Sequence, residues 1–265
     1  MGRWFESSTA HQTTAIYMSS ANSNILKWSK KNPSFKKIFL YYNLYIRNFK
    51  FIFNKSKSQF GEDKKIIKLF PKNMKGFYLD LGCFHPIRQS NTYLMYQRGW
   101  TGVNIDLNPL SIDLFNVARP KDINICAAVS DKNATETLYF DHSLSSLNTI
   151  NLNHLSFLKK QFGLKKIKKK KIKTQNLANL LKIKKIKKID FFNIDIEGSE
   201  FKVLKSFNYR YFKPKVICVE IIDNPHLKKN IFKKNQIIKL LKKNNYSLKF
   251  KSLVNYIFIK KKPNF

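Results

Sequence analysis

Five carboxylates are the residues of this chain best placed to do chemistry: Asp80, Asp106, Asp195, Glu197 and Glu220. Each falls at or near the end of a short apolar run, where a strand would hand over to a loop. Carboxylates so placed can accept hydroxyl or ammonium hydrogen bonds, remove a proton, or together hold a cation. Gly82, two residues after Asp80, lets the backbone turn sharply and approach a ligand. Asp106 follows 24 positions after Gly82, a spacing at which an acidic residue accepts both hydroxyls of a ribose. His85, whose unperturbed pKa lies near neutrality, is a second candidate for proton transfer. Any one acidic strand end can equally be a helix cap or a solvated side chain. Their convergence on one edge argues for a site.

The elements that must position these groups read as alternating strands and helices. Residues 77–81 form an apolar strand broken at Gly82, 92–98 a helix stopped by Gly99, and 101–105 the next strand, a βαβ unit of nucleotide-binding type. A helix over 110–117 follows, then a third buried strand over 123–129 and an exposed or edge strand over 135–140. Residues 152–162 are expected to be helical, the Lys-rich run 165–173 a strand or loop with a wet face, and Thr174 the cap of a helix over 176–181. Strands over 189–196 and 215–222 flank a helix over 199–206; a helix over 230–243 precedes an antiparallel pair over 246–250 and 255–259. This order predicts an α/β fold with a mostly parallel, doubly wound sheet. Such sheets bind ligands outside the carboxyl ends of their strands.

The loop after the first strand restricts the ligand. A pyrophosphate needs several glycines, so that backbone N–H groups can close on it. Here the loop is Gly82-Cys83-Phe84-His85-Pro86, and no G-x-x-x-x-G-K-[ST] occurs anywhere. A cofactor with a ribose but no phosphate fits better, and S-adenosylmethionine is the obvious one: Asp80 can accept from its ammonium.

The chain's 265 residues suffice for one α/β domain and an extension. Its formal charge of +35 would favour nucleic acid, anionic lipid or acidic glycan. Much of that excess is also what an A+T-rich coding sequence produces on solvated faces, through its Lys, Asn, Ile and Phe codons. Cys83, Cys126 and Cys218 are scattered without ligand spacing, which suits a reducing cytosol. No run is long and apolar enough to span a bilayer, so the expected location is cytoplasmic or peripheral to a membrane. Residues 25–53 are basic and aromatic; two uses are open to them, an interfacial helix on anionic membrane or a helix packed on the catalytic domain. Residues 54–62 read as a polar linker. Residues 1 to about 12 differ in composition, and Arg-Trp-Phe-Glu-Ser back-translates to the GGTTCGAATCC of a tRNA T-arm, which makes 1–17 a mis-assigned start. Translation is therefore expected to start at Met18, leaving 18–60 as extension and linker and 61–265 as the main domain.

The run YLDLGCFHPIRQSNTYLMYQRGWTGVNIDLNP resembles the cofactor-binding half of the FkbM family of S-adenosylmethionine-dependent methyltransferases. FFNIDIEGSEFKVLKSF resembles that family's second signature, and RPKDINICAAVSD and KVICVEII fall where it has its third and fifth strands. The resemblance implies a Rossmann-like sheet of seven strands, one of them antiparallel. It puts Asp80 and Gly82, with Cys83 in the same loop, at the methionine end of the cofactor, Asp106 at the ribose, and Asp122 and Ala127 near adenine. Asp195 and Glu197, two apart on a strand and so on one face, would border the methyl group and the acceptor. Asp195 is then the first choice of base and His85 the second. Alternatively Asp195 and Glu197, with Glu220 or His226, hold Mg²⁺ to orient a diol. The family implies O-methylation of a sugar or glycan hydroxyl. One rival keeps the activity and changes the acceptor to RNA, although no stacking platform is visible outside the N-terminal segment. The other is a non-enzymatic, basic membrane- or nucleic-acid-binding protein on a Rossmann scaffold, for which the retained Asp80, Asp106 and Asp195 would have no use.

Overall fold

The computed structural model describes residues 32–140, 149–150, 152, 155–156, 159, 167–221 and 228–261. The expected start at Met18, His226 and most of the expected helix over 152–162 lie outside them. In chain order the described strands are β1 (Phe77–Leu81), β2 (Thr101–Asp106), β3 (Ile123–Cys126), β4 (Ala128–Ser130), β5 (Ala134–Phe140), β6 (Lys168–Asn176), β7 (Phe191–Ile194), β8 (Val216–Glu220), β9 (Tyr246–Lys251) and β10 (Asn255–Lys260). Seven of them form one sheet in the order β3-β2-β1-β7-β8-β10-β9. Neighbours pair in parallel except at β8/β10 and β10/β9, so β10 alone opposes the rest. The expected doubly wound sheet, with one antiparallel strand, is present.

The helices are α1 (Pro33–Tyr41), α2 (Phe49–Phe53), α3 (Glu62–Ile67), α4 (Tyr93–Gln97), α5 (Pro109–Ala118), α6 (Leu177–Ile183), α7 (Glu200–Ser206), α8 (Tyr209–Phe212) and α9 (Lys228–Lys243). Side chains alternate across the sheet with period two. From β1, Leu79 and Leu81 enter a core with Phe192 and Ile194 of β7, Leu180 of α6 and Val203 of α7. Tyr78 enters the opposite core with Phe191, Ile66 of α3, Met95 of α4 and Trp100. Both faces are covered, which is why these strands read as apolar runs. Fully burying one such side chain contributes roughly 1.5–3 kcal/mol.

One row breaks this pattern. Asn124, Asn104, Asp80, Asn193 and Cys218 stand opposite one another across β3, β2, β1, β7 and β8. Asn104 and Asn193 are buried in mid-strand, where Asn is disfavoured unless its hydrogen bonds are satisfied. Asp80 and Asn193 of this row reach the floor of the cleft described below, and the flanking asparagines continue it through the sheet.

Four expectations change. The expected strand over 123–129 is two: β3 ends at Cys126, Ala127 donates to the Asp106 carbonyl at 2.9 Å, and β4 joins a separate sheet in the order β4-β6-β5. β3 is a partly exposed edge strand rather than a buried one. Thr174 does not cap α6. It is buried in β6 with its hydroxyl on the carbonyls of Lys132 and Ala134, and Asn176 caps the helix through Asn179 N at 3.0 Å. The stretch read as a polar linker is folded down, because Asp63 gathers the Lys57 N–H at 2.6 Å and the Ser58 hydroxyl at 2.9 Å. The Lys57 ammonium is likewise held by the carbonyls of Phe51, Ile52 and Asn54, each at 2.7 Å.

Candidate active site

A cleft of about 220 Å³ opens across the carboxyl ends of β1, β2, β7 and β8. Asp80, Gly82, Cys83, Asp106, Ala127, Asp195, Glu197 and Glu220 all line it. Each is among the candidates named from the sequence. His85 and Asp122 are absent from its walls.

Gly82 sets the closest approach. At φ +72° a Cβ on it would lie 1.6 Å from the Asp195 carbonyl oxygen, so the ends of β1 and β7 can stand this close only with glycine here. The loop beyond is held by Asp106: one carboxylate oxygen accepts from Phe84 N at 2.9 Å and the other from Asn108 N at 2.7 Å. Phe84 itself has φ 51°, a left-handed conformation rare outside glycine and Asn. Burial pushes the Asp106 carboxyl up to about 6, against the pull of those two N–H groups. Each oxygen keeps a lone pair for a ligand hydroxyl.

Asp80 is only 1% exposed. Its oxygens accept from the Thr92 hydroxyl at 2.7 Å and the Asn193 amide at 2.8 Å, and Asn91 braces Asn193 at 3.1 Å. Burial raises the Asp80 pKa, opposed by these hydrogen bonds and by Arg119. Arg119, 0% exposed, organises the whole loop. It donates to Thr92 Oγ1 at 2.8 Å, to Ser90 Oγ at 2.9 Å and, through Nε, to the Pro86 carbonyl at 3.1 Å. Arg119 thus fixes the residues that fix Asp80, and it also lies against the ring of Phe115. Arg119→Lys keeps the charge but loses the planar fork. We expect a loss of about 2 kcal/mol in unfolding free energy by denaturant titration, from the hydrogen bonds forfeited.

Asp195, Glu197 and Glu220 bring carboxylate oxygens within 4.8 Å of one another. The expected reason for this convergence was wrong. β7 ends at Ile194, so Asp195 and Glu197 are not alternate residues of a strand. They converge through a turn in which Glu197 (φ 51°) and Gly198 (φ 99°) are both left-handed. Glu200 stabilises that turn, accepting from Ile196 N at 3.2 Å and Gly198 N at 2.7 Å. Thr149 donates to the Glu197 carbonyl at 2.8 Å. Asp195 and Glu220 are hydrogen-bonded to each other, and burial followed by neighbouring negative charge raises both well above the carboxylate range. The pair is thereby suited to share one proton. Oxygen donors of this kind also suit Mg²⁺, but here two of the three groups are engaged with each other.

His85 is not placed as a base. It is 4% exposed, and its Nδ1 accepts from the N–H groups of Ile87 at 3.1 Å and Arg88 at 3.0 Å. Burial, then the charges of Arg88, Arg119 and Arg47, hold it well below its usual pKa and therefore neutral. It shapes the loop as an Asn would. Asp122 sits at the opposite end of the sheet, before β3, accepting from Gly102 N at 3.0 Å and Asn104 Nδ2 at 2.9 Å, and from the Tyr78 hydroxyl. It holds Asn104 of the polar row and takes no part in the cleft wall, so it is not placed beside adenine. Unforeseen in the sequence were Asn193 and Arg119. The signal for Asn193, and for Asn104 beside it, was a polar residue inside a strand otherwise apolar.

A doubly wound seven-stranded sheet with one antiparallel strand, and a carboxylate-lined cleft across its strand ends, is the arrangement of a Rossmann-like methyltransferase. Residues 80–248 match the methyltransferase FkbM domain, and the chain belongs to that family. Among solved structures it is similar to methyltransferase FkbM from Methylobacillus flagellatus KT, with 13% identity and a TM-score of 0.40 over 72% of this chain and 44% of that one. The chain thus spans less than half the length of that structure. Comparison with curated proteins gives no match.

Proposed function

We propose that the protein transfers a methyl group from S-adenosylmethionine to a hydroxyl of a sugar or glycan. The observation that carries this reading is the Asp195–Glu220 pair, poised for a proton, in the same cleft as Asp80 and Asp106. The residues present fit the cofactor. Asp80 and the buried, unpartnered Oδ1 of Asn91 are acceptors for an ammonium, and Asp106 has lone pairs left for ribose hydroxyls. When bound, S-adenosylmethionine supplies an electrophilic methyl on sulfonium. The chain's own residues do the rest. The strand ends orient donor and acceptor, and positioning of that kind supplies much of the rate in a displacement. Asp195 in its ionised form takes the hydroxyl proton. The raised pKa brings Asp195 closer to working pH, which makes it a stronger base than an ordinary carboxylate. Glu220 in its protonated form donates to Asp195 and keeps its carboxylate oriented.

Incubating the protein with methyl-labelled S-adenosylmethionine and, in parallel, a panel of mono- and oligosaccharides or RNA tests the reading. Label in an acid- and base-stable ether supports it. Label in RNA but in no sugar would displace it.

Asp106 adds a pH signature. Only its carboxylate accepts from both ribose hydroxyls, so affinity for S-adenosylmethionine should hold above about pH 7 and fall as pH drops through about 6. Asp106→Asn should bind more weakly and lose that inflection in calorimetry. Stability runs the other way at this residue. A carboxyl whose pKa is higher folded than unfolded takes up its proton first in the folded state, so acid stabilises the ligand-free fold here.

A further inference from the structure

We propose that the N-terminal helical segment docks the protein on an anionic lipid surface. The segment comprises α1, a π turn over Tyr42–Ile46, and α2. Its inner side is already used. Leu40 and Leu44 pack on Leu114 of α5, and Asn43 and Asn48 are buried beside them. The outer side is apolar as well. Ile38, Tyr42, Ile46, Phe49 and Phe53 recur every three or four residues, and Ile46 and Phe53 remain 67% and 70% exposed. A surface helix normally turns charged or polar residues to water on this side. A stripe of Phe, Tyr and Ile is what an interfacial helix sinks into the boundary between headgroups and acyl chains.

Charge identifies the partner. From Asn32 to Gly61 the chain has six Lys or Arg and no Asp or Glu. Lys37, Lys50 and Lys55 are exposed around the stripe. A polybasic flank on an apolar face complements a membrane rich in anionic lipid, whereas a second copy of this strongly basic chain would repel it. No described helix is long and apolar enough to cross a membrane, and the contact proposed is with the lipid surface. The segment and the stretch that follows it abut the cleft: Asn48 contacts His85 of the loop after β1 at 3.2 Å, the Lys57 carbonyl accepts from Ser90 N at 2.9 Å, and Gln59 lines the wall. Docking therefore holds the active-site rim at a fixed relation to the lipid. The interaction itself is independent of the chemistry in the cleft.

A protein this basic will touch anionic vesicles by charge alone, so the decisive variant leaves charge untouched. The full chain and its Ile46→Ser, Phe49→Ser, Phe53→Ser triple variant should be co-sedimented with phosphatidylcholine vesicles, with and without phosphatidylserine. We expect binding that needs phosphatidylserine and weakens roughly tenfold or more in the triple variant, since three apolar side chains lose their burial. Sedimentation velocity without lipid should be unchanged between the two. A second variant, Phe49→Trp, should show a blue-shifted emission increment with phosphatidylserine vesicles. Equal vesicle binding by the wild-type chain and the triple variant would overturn the proposal in favour of charge alone. Loss of an oligomer in the triple variant would overturn it in favour of a second copy.

Discussion

Asp195→Asn should lower kcat by about 10²–10⁴-fold while leaving affinity for S-adenosylmethionine within a small factor of wild type. That range is what a positioned general base typically contributes. Asparagine matches the shape and can still accept the Glu220 proton donor, but it cannot take a proton from the acceptor. A folding defect is distinguishable, because it moves stability downward. Here the opposite is expected: Asp195 lies among Glu197, Glu200 and Glu220 in a cleft that raises its pKa. Removing its charge relieves like-charge repulsion, so the thermal midpoint should hold or rise. The wild-type pH profile should show kcat falling as pH drops through the raised pKa of the pair, because the base must be ionised. Equal loss of cofactor affinity and turnover would assign Asp195 to binding instead.

Gly82→Ala should be the most damaging single methyl in the domain. Its Cβ would meet the Asp195 carbonyl oxygen at 1.6 Å, and its φ of +72° is unfavourable for any residue with a Cβ. Backbone cannot yield as a flexible side chain can. We expect a loss on the order of 3 kcal/mol or more in unfolding free energy, overpacking and backbone strain acting together. In molecules that still fold, the ends of β1 and β7 must part, which separates Asp80 from Asp195 and weakens cofactor binding. A denaturation midpoint equal to wild type would contradict the close approach described here.

The sheet was legible because each central strand is buried on both faces and reads as an apolar run, as in YLDL and FFNI. Asp80, Asp106, Asp195 and Glu220 were legible for a related reason: a charge can sit only where such a run meets the cleft. Legibility failed where a role depends on partners distant in the chain. Arg119 reads as a helix end before Pro120, yet its hydrogen bonds go to Pro86 and Thr92, 33 and 27 residues earlier. His85 reads as a base and is instead buried against the N-terminal segment. Asp122 immediately precedes β3, which runs parallel to its neighbour, so it stands at the amino ends of the strands, away from the cleft. Asp195 and Glu197 were paired correctly on a mistaken geometry, since nothing local announces a left-handed Glu197.

The most direct measurement is calorimetric titration of the wild-type protein, Asp80→Ala and Asp106→Ala with S-adenosylmethionine. Micromolar binding by the wild type, lost in both variants while their circular dichroism remains native, is the predicted result. A folded wild-type protein that binds none of it, or variants that bind as the wild type does, would contradict the assignment of this cleft.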